Sequence, residues 1–354
     1  MKVLQPILSL LILSLSTIVS SNTIIGGRHT ETEEGFLSSW PGTYYEARFT
    51  GSKIGIKVKG QADYFNVEID KQFHSVIQGN NGSPQWIENL DKGTHDIRLS
   101  KRTESHYSFA SFQGFIPAKG EKLLPVKNQR TRMIEIIGDS NFAGYGNEST
   151  ERECTEDEIR QKSNADKTFS VLTARHFNAD YQLNGYSGQG MVRNWGGNQP
   201  DVNYRIHYQR TLTEDPASVY TPPKEWKPEV VLIGLGSNDF SVEVKEKEKW
   251  TNVTLHKAYK KAYLDFYRKL RQQYGSKALF IFASQPLAGS DYFNNLVAEI
   301  VQSQEKKGDR IAHWKVGVTE LIGCQWHYSL NDHLAASKQL IDIIEKNKPE
   351  WKKQ

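Results

Sequence analysis

Between Thr43 and Phe115 apolar residues recur at every second position in short bursts: Ile54, Ile56, Val58, then Phe65, Val67, Ile69, then Ile97, Leu99, then Phe109 and Phe112. Alternation of this kind predicts strands with one buried face. Pro41-Gly42, Gly51-Ser52, Asn80-Asn81-Gly82 and Lys92-Gly93 separate the bursts with turn chemistry. The expected unit is an antiparallel sandwich of about one hundred residues. A Lys-rich stretch, 118–132, then reads as a linker. Beyond it, continuous apolar runs at 133–137, 181–183, 230–235, 279–283 and 313–318 alternate with helix-like spacing or composition at 167–177, 255–274, 292–304 and 333–346. That β, α, β order predicts a parallel sheet flanked by helices.

A chain of 354 residues exceeds the usual span of one domain, and 8 Trp, 16 Tyr and 15 Phe can fill two interiors. The 45 basic and 41 acidic residues are interspersed, which removes the electrostatic track that nucleic acid needs. Lys2, an apolar run over 4–19 diluted by Ser14, Ser16 and Thr17, and the small pair Ser20-Ser21 have the layout of a secretion signal cleaved near Ser21. The mature chain is therefore expected outside the cell or in a periplasm, with no membrane attachment. Export permits disulfides, and with only Cys154 and Cys324 available one intrachain bridge between them is expected. Sequons stand at Asn81, Asn147 and Asn252, and decide nothing about function. Oligomeric state is left open.

Four short segments carry candidate chemistry. The run Ile134 to Ile137 ends abruptly on Gly138-Asp139-Ser140, which puts a hydroxyl at the carboxyl edge of a parallel sheet, where open sheets keep their reactive groups. Tyr186-Ser187-Gly188-Gln189-Gly190 offers a backbone amide that a ligand can approach. Leu235-Gly236-Ser237-Asn238-Asp239 ends another strand on an amide donor. Gly323-Cys324-Gln325-Trp326-His327 brings an imidazole in a loop before the last helix. Each alone is an ordinary turn or a solvated loop. Together they supply attacker, two oxyanion donors and proton shuttle, the parts of an acyl transfer.

With these blocks in that order, the chain resembles the Ser-Gly-Asn-His (SGNH) hydrolases, also called GDSL-type esterases. The resemblance implies Ser140 as nucleophile, His327 as base, and an oxyanion hole of Gly188, Asn238 and the amide of Ser140 itself. Gly27-Arg28, Trp40-Pro41-Gly42-Thr43, Tyr64 to Asp70 and Lys101-Arg102-Thr103-Glu104, with Ser187 to Gly190, Arg193-Asn194 and Trp326-His327, narrow it to carbohydrate esterase family 2. That family implies an all-β jelly-roll sandwich (22–120) before an α/β SGNH-hydrolase domain (130–354), following the signal at 1–21. It also implies removal of acetyl groups from xylan, glucomannan or related sugars, with Trp326 and Asn194 as substrate contacts and no cofactor.

The family usually has Asp two residues before the base, and this chain has Gln325. Gln325 is thus the candidate at the third triad position; Asp332 is close in sequence but on the far side of His327, and the acid member stays unassigned. No His-Glu-x-x-His or paired Cys-x-x-Cys supports a metal. Two other readings stay open: a lipase or thioesterase on the same fold, and a carbohydrate-binding protein that has lost turnover, with Trp195 and Trp326 as exposed aromatics.

Overall fold

The computed structural model describes residues 22–106, 109–287 and 290–352, so the secretion signal expected at 1–21 lies outside the described residues. The N-terminal part contains β1 (Ile24–Gly26), β2 (Thr30–Thr32), β3 (Gly35–Ser38), β4 (Tyr44–Gly51), β5 (Ile54–Lys59), β6 (Tyr64–Ile69), β7 (Gln72–Gln78), β8 (Gln85–Ile87), β9 (Gly93–Lys101), β10 (Ala110–Pro117) and β11 (Leu123–Leu124). They form two antiparallel sheets, β1-β4-β9-β6-β7 with β11 also on β4, and β2-β3-β10-β5-β8. The alternating residues of the sequence pattern meet between the sheets: Ile54, Ile56 and Val58 face Phe65, Val67, Ile97 and Leu99. Each such burial contributes about 1.5–3 kcal/mol.

Three departures from the sequence pattern have local causes. Strand β7 carries no alternation because its side chains are mostly exposed. Phe109 precedes β10 and is only half-buried. The stretch 118–132 is not a free linker: β11 pairs with β4, and Arg130 forks onto Glu46 at 3.0 and 2.5 Å.

The C-terminal part contains β12 (Arg132–Gly138), β13 (Ala179–Gly185), β14 (Val230–Gly234), β15 (Leu279–Ser284) and β16 (Ile311–Lys315), all parallel, in the order β13-β12-β14-β15-β16. Its helices are α1 (Ser140–Ala143), α2 (Glu156–Lys162), α3 (Phe169–His176), α4 (Tyr204–His207), α5 (Ser237–Phe240), α6 (Asn252–Tyr274), α7 (Tyr292–Glu305) and α8 (Leu330–Asn347). Helices α6 and α7 cover one face through Tyr259, Tyr263, Phe293 and Val297, while α3 and α8 cover the other through Phe169, Val171, Leu340 and Ile344. Because β13 and β14 flank β12 on opposite sides, the chain reverses direction across the sheet there, which opens a crevice at the carboxyl end of β12. Among the described residues no helix is long and apolar enough to cross a membrane. The sequon residue Asn147 is fully buried and donates to the Asn164 carbonyl at 3.0 Å, so the folded chain offers it to no transferase.

Polar side chains join the two parts. Arg28 reaches Glu135 on β12 at 3.2 Å, both side chains having no exposed surface, and stacks on Tyr220 and Tyr208. Glu135 also accepts from Asn184 at 2.8 Å, Tyr208 at 2.9 Å and Trp226 at 2.7 Å. Burial pushes the Glu135 carboxyl up, against the pull of Arg28. Arg98 donates to the Tyr181 hydroxyl at 2.9 Å, Arg102 to the Ser163 carbonyl at 3.1 Å, and Asn66 to Asn164 at 2.9 Å. Replacing Arg28 by Met strands a buried carboxylate and should lower the unfolding free energy by about 3–5 kcal/mol. The measurement is the urea midpoint at unchanged slope; a loss under about 1 kcal/mol, the scale of a surface pair, would deny the contact its place in the fold.

Candidate active site

Strand β12 ends on Gly138, and after Asp139 the chain turns at once into α1, so that Ser140 opens the helix. Gly138 and Gly234 end neighbouring strands, and one ring, Phe142, fills the space over both: a Cβ at either would lie 2.1 Å from it. Asp139 caps the turn, accepting from the Asn141 amide at 3.1 Å on one oxygen and from the Ser237 hydroxyl on the other. Burial nevertheless pushes its carboxyl up to about 6.

His327 comes from the far end of the sequence. Its Nε2 is 2.7 Å from Ser140 Oγ, and its Nδ1 is 2.8 Å from the carbonyl oxygen of Cys324. A carbonyl only accepts, so Nδ1 carries the proton, Nε2 presents its lone pair, and the Ser140 hydroxyl donates to it. The imidazole is half-buried, its desolvation holds it below its ordinary pKa, and the Tyr145 ring packs over it with centroids 4.4 Å apart.

The loop that delivers His327 is held from three sides. Cys324 is joined to Cys154 with Cα atoms 5.6 Å apart, the Gln325 amide donates to the Arg152 carbonyl at 2.6 Å, and Arg152 donates back to Leu321 at 2.8 Å. Gln325 and Trp326 both adopt left-handed backbone, φ +52° and +66°, a conformation that costs side-chain-bearing residues energy and persists where the surroundings impose it. The side-chain oxygen of Gln325 accepts from the Tyr145 hydroxyl at 3.0 Å. Trp326 stands 65% exposed, with the Arg152 guanidinium 3.6 Å from the ring centroid.

Asn238, at the start of α5, donates from Nδ2 to the Gln189 carbonyl at 3.0 Å, which ties it to the loop that contains Gly188. Gly188 has φ +74° and open space where a Cβ would stand. The four residues singled out by the sequence thus come from three strand ends and the loop before α8.

Residues 134–339 match the model of the GDSL-like lipase/acylhydrolases, and 25–126 that of the carbohydrate esterase 2 N-terminal region. The acetylxylan esterase / glucomannan deacetylase of Cellvibrio japonicus (strain Ueda107) is 36% identical over 328 residues, 89% of this chain and 87% of its own. This chain belongs to carbohydrate esterase family 2. Membership makes it a carboxylic ester hydrolase. Two solved structures are similar to the esterase. One is a carbohydrate esterase whose active site displays divergent catalytic and non-catalytic binding functions, 32% identical, with a TM-score of 0.80 over 92% of this chain and 98% of its own. The other is the family two carbohydrate esterase from Clostridium thermocellum in complex with cellohexaose, 26% identical, with a TM-score of 0.80 over 92% and 98%.

Asn194 is used differently from the expected substrate contact. It is 4% exposed, accepts from the Gly190 amide at 3.1 Å and donates to the Val202 carbonyl at 2.9 Å, so its amide braces its own loop. Asp239, whose role the sequence reading missed, holds the same loop: fully buried, it accepts from the amides of Met191, Val192 and Arg193 at 2.7, 2.9 and 2.9 Å. Tyr145 and Arg152 gave no sequence signal, because their roles depend on packing against a loop about 180 residues away. The His327 ring should be neutral at pH 7, protonated on Nδ1, and should gain its second proton only below pH 6.5, because burial favours the uncharged form. Nitrogen NMR of labelled protein reads both the tautomer and the midpoint, and kcat/KM should fall with acid through that same midpoint. A midpoint above 6.5 would contradict the desolvation of the ring.

Proposed function

We propose that the esterase removes O-acetyl groups from a plant-type polysaccharide such as xylan or glucomannan, by an acyl-enzyme route on Ser140. The observation that carries the mechanism is the 2.7 Å contact between Ser140 Oγ and an imidazole whose other nitrogen faces a carbonyl. In this reading Oγ attacks the acetyl carbon while its proton passes to Nε2 of His327. The oxyanion is met by the amides of Ser140 and Gly188 and by one N–H of Asn238, whose other N–H stays on Gln189. Collapse breaks the ester bond, and the proton returns from Nε2 to the departing sugar oxygen. Water, activated by the same nitrogen, then releases acetate.

The acetylated-polysaccharide substrate is supported by the name of the Cellvibrio japonicus relative and by the aromatic surface of Trp326 beside His327. Export, with cleavage near Ser21, is supported by the composition of the first residues and suits a substrate too large to enter a cell. We take 22–120 as a jelly-roll sandwich and 130–354 as the SGNH-hydrolase domain. Support for the jelly roll is the strand order: from β3 to β10 the chain changes sheet at every step except the β6-β7 hairpin, so that β3-β10-β5-β8 faces β4-β9-β6-β7. A second reading, glycan binding with little turnover, draws on the divergent functions of the similar active site; acetate release from acetylated xylan decides between the two.

Ser140→Ala should leave a folded protein that releases acetate at least about a thousandfold more slowly, since the covalent route is lost and the oxyanion donors stay. Retention of a tenth of the rate would falsify the nucleophile assignment. Gln325→Ala should cost less than about tenfold in kcat, because the ring proton is held by a backbone carbonyl. A hundredfold loss in a folded variant would make Gln325 the orienting partner instead.

A further inference from the structure

We propose that Glu104, a side chain of the sandwich, positions the turn that carries Gly188, so that the active site is completed only across the two domains. This rests on the esterase mechanism proposed above. Glu104 lies in the loop after β9, its side chain 7% exposed. One carboxylate oxygen accepts from the Ser187 amide at 2.6 Å and the other from the Ser187 hydroxyl. Ser187 is the residue before Gly188, so the peptide plane that is gripped shares its Cα with the plane that presents the Gly188 N–H.

Both sides of this contact are built. On the sandwich side Asp63, fully buried, takes Lys101 Nζ at 2.7 Å, Thr103 Oγ at 2.9 Å and Ser105 Oγ at 2.8 Å, gripping the chain before and after Glu104. The Ser105 amide adds a bond to the Ser39 carbonyl at 3.1 Å. On the hydrolase side the Gly188 carbonyl accepts from Trp195 at 2.9 Å, and Asp239 holds the loop from Met191 onward. The two acids clamp opposite limbs of one loop.

An oxyanion donor acts through placement, and an error of about 1 Å can cost about a hundredfold. Glu104→Ala should therefore lower kcat by about tenfold to a hundredfold on both an aryl acetate and an acetylated xylo-oligosaccharide, with KM within about twofold. Glu104→Gln, whose amide can still accept from the Ser187 N–H, should recover most of that loss. Amide hydrogen exchange at Ser187 and Gly188, which needs no turnover, should quicken at least about tenfold in the Ala variant. If wild type releases no acetate, the esterase mechanism fails, yet the exchange result still judges the clamp. A rise in KM confined to the sugar substrate would make Glu104 a sugar ligand, and an unchanged kcat with unchanged exchange would leave no clamp; either overturns the proposal. Should the Ala variant not fold, the cycle of Glu104→Gln with Ser187→Ala decides, coupled losses supporting the clamp and additive ones rejecting it.

Discussion

A carboxylate that cannot reach water organises this molecule. Glu135 stands on β12, the strand that ends at Ser140, and has no exposed surface. An unpaired charge there would cost several kcal/mol, so its oxygens must be met. The donors are Arg28 from the N-terminal segment, Asn184 from β13, Tyr208 just after α4 and Trp226 just before β14. Elements distant in sequence thereby share one acceptor, and the strand that leads into Ser140 is fixed against both its sheet neighbour and the sandwich.

The rest of the interface follows the same logic. Arg98, Arg102 and Arg175 each bridge a sandwich acid or amide to a partner in the hydrolase domain: Glu46 and Tyr181, Asn66 and Ser163, Glu68 and Asp166. Planar guanidinium groups suit this work because several donors leave in fixed directions. Apolar contacts cross the boundary too, since Trp40 packs in the core under α6 and Tyr44 in the core under α3 and α8. The two domains are therefore one polar-stitched body, which is what allows a sandwich carboxylate to reach the loop of Gly188.

At His327 a backbone carbonyl, that of Cys324, accepts the ring proton. It fixes the tautomer of His327 as well as a carboxylate would, but brings no full charge to balance an imidazolium. Desolvation favours the neutral ring, while the Cys324 carbonyl that accepts from Nδ1 pulls the other way without overcoming it. The left-handed backbone at Gln325 and Trp326 belongs to this arrangement: it brings the Cys324 carbonyl to the ring and sends the Gln325 side chain to Tyr145.

Much of this was written in the chain. Alternation marked β5, β6 and β9, apolar runs marked all five parallel strands, and the four long helices were found to within a few residues, because each of those signals is local: a side chain's face is set by its neighbours two or four positions away. Gly138 to Ser140, Gly188, Asn238 and His327 could be singled out for the same reason, as short runs with their own chemistry. What stayed hidden was long-range. Strand β7 buries too little to show a period, and 118–132 looks like a linker until β11 pairs with β4. Asn194 carries the chemistry of a ligand contact, but the loop closes on it and uses both ends of its amide. Glu104 and Asp239 stood in singled-out sequence blocks with no role assigned to either; only the packed structure sets their oxygens against the amides of one loop. Sequence determined which groups exist and how each segment folds, whereas tertiary structure decided which donor meets which acceptor, because burial and hydrogen-bond geometry are properties of residues brought together from far apart in the chain.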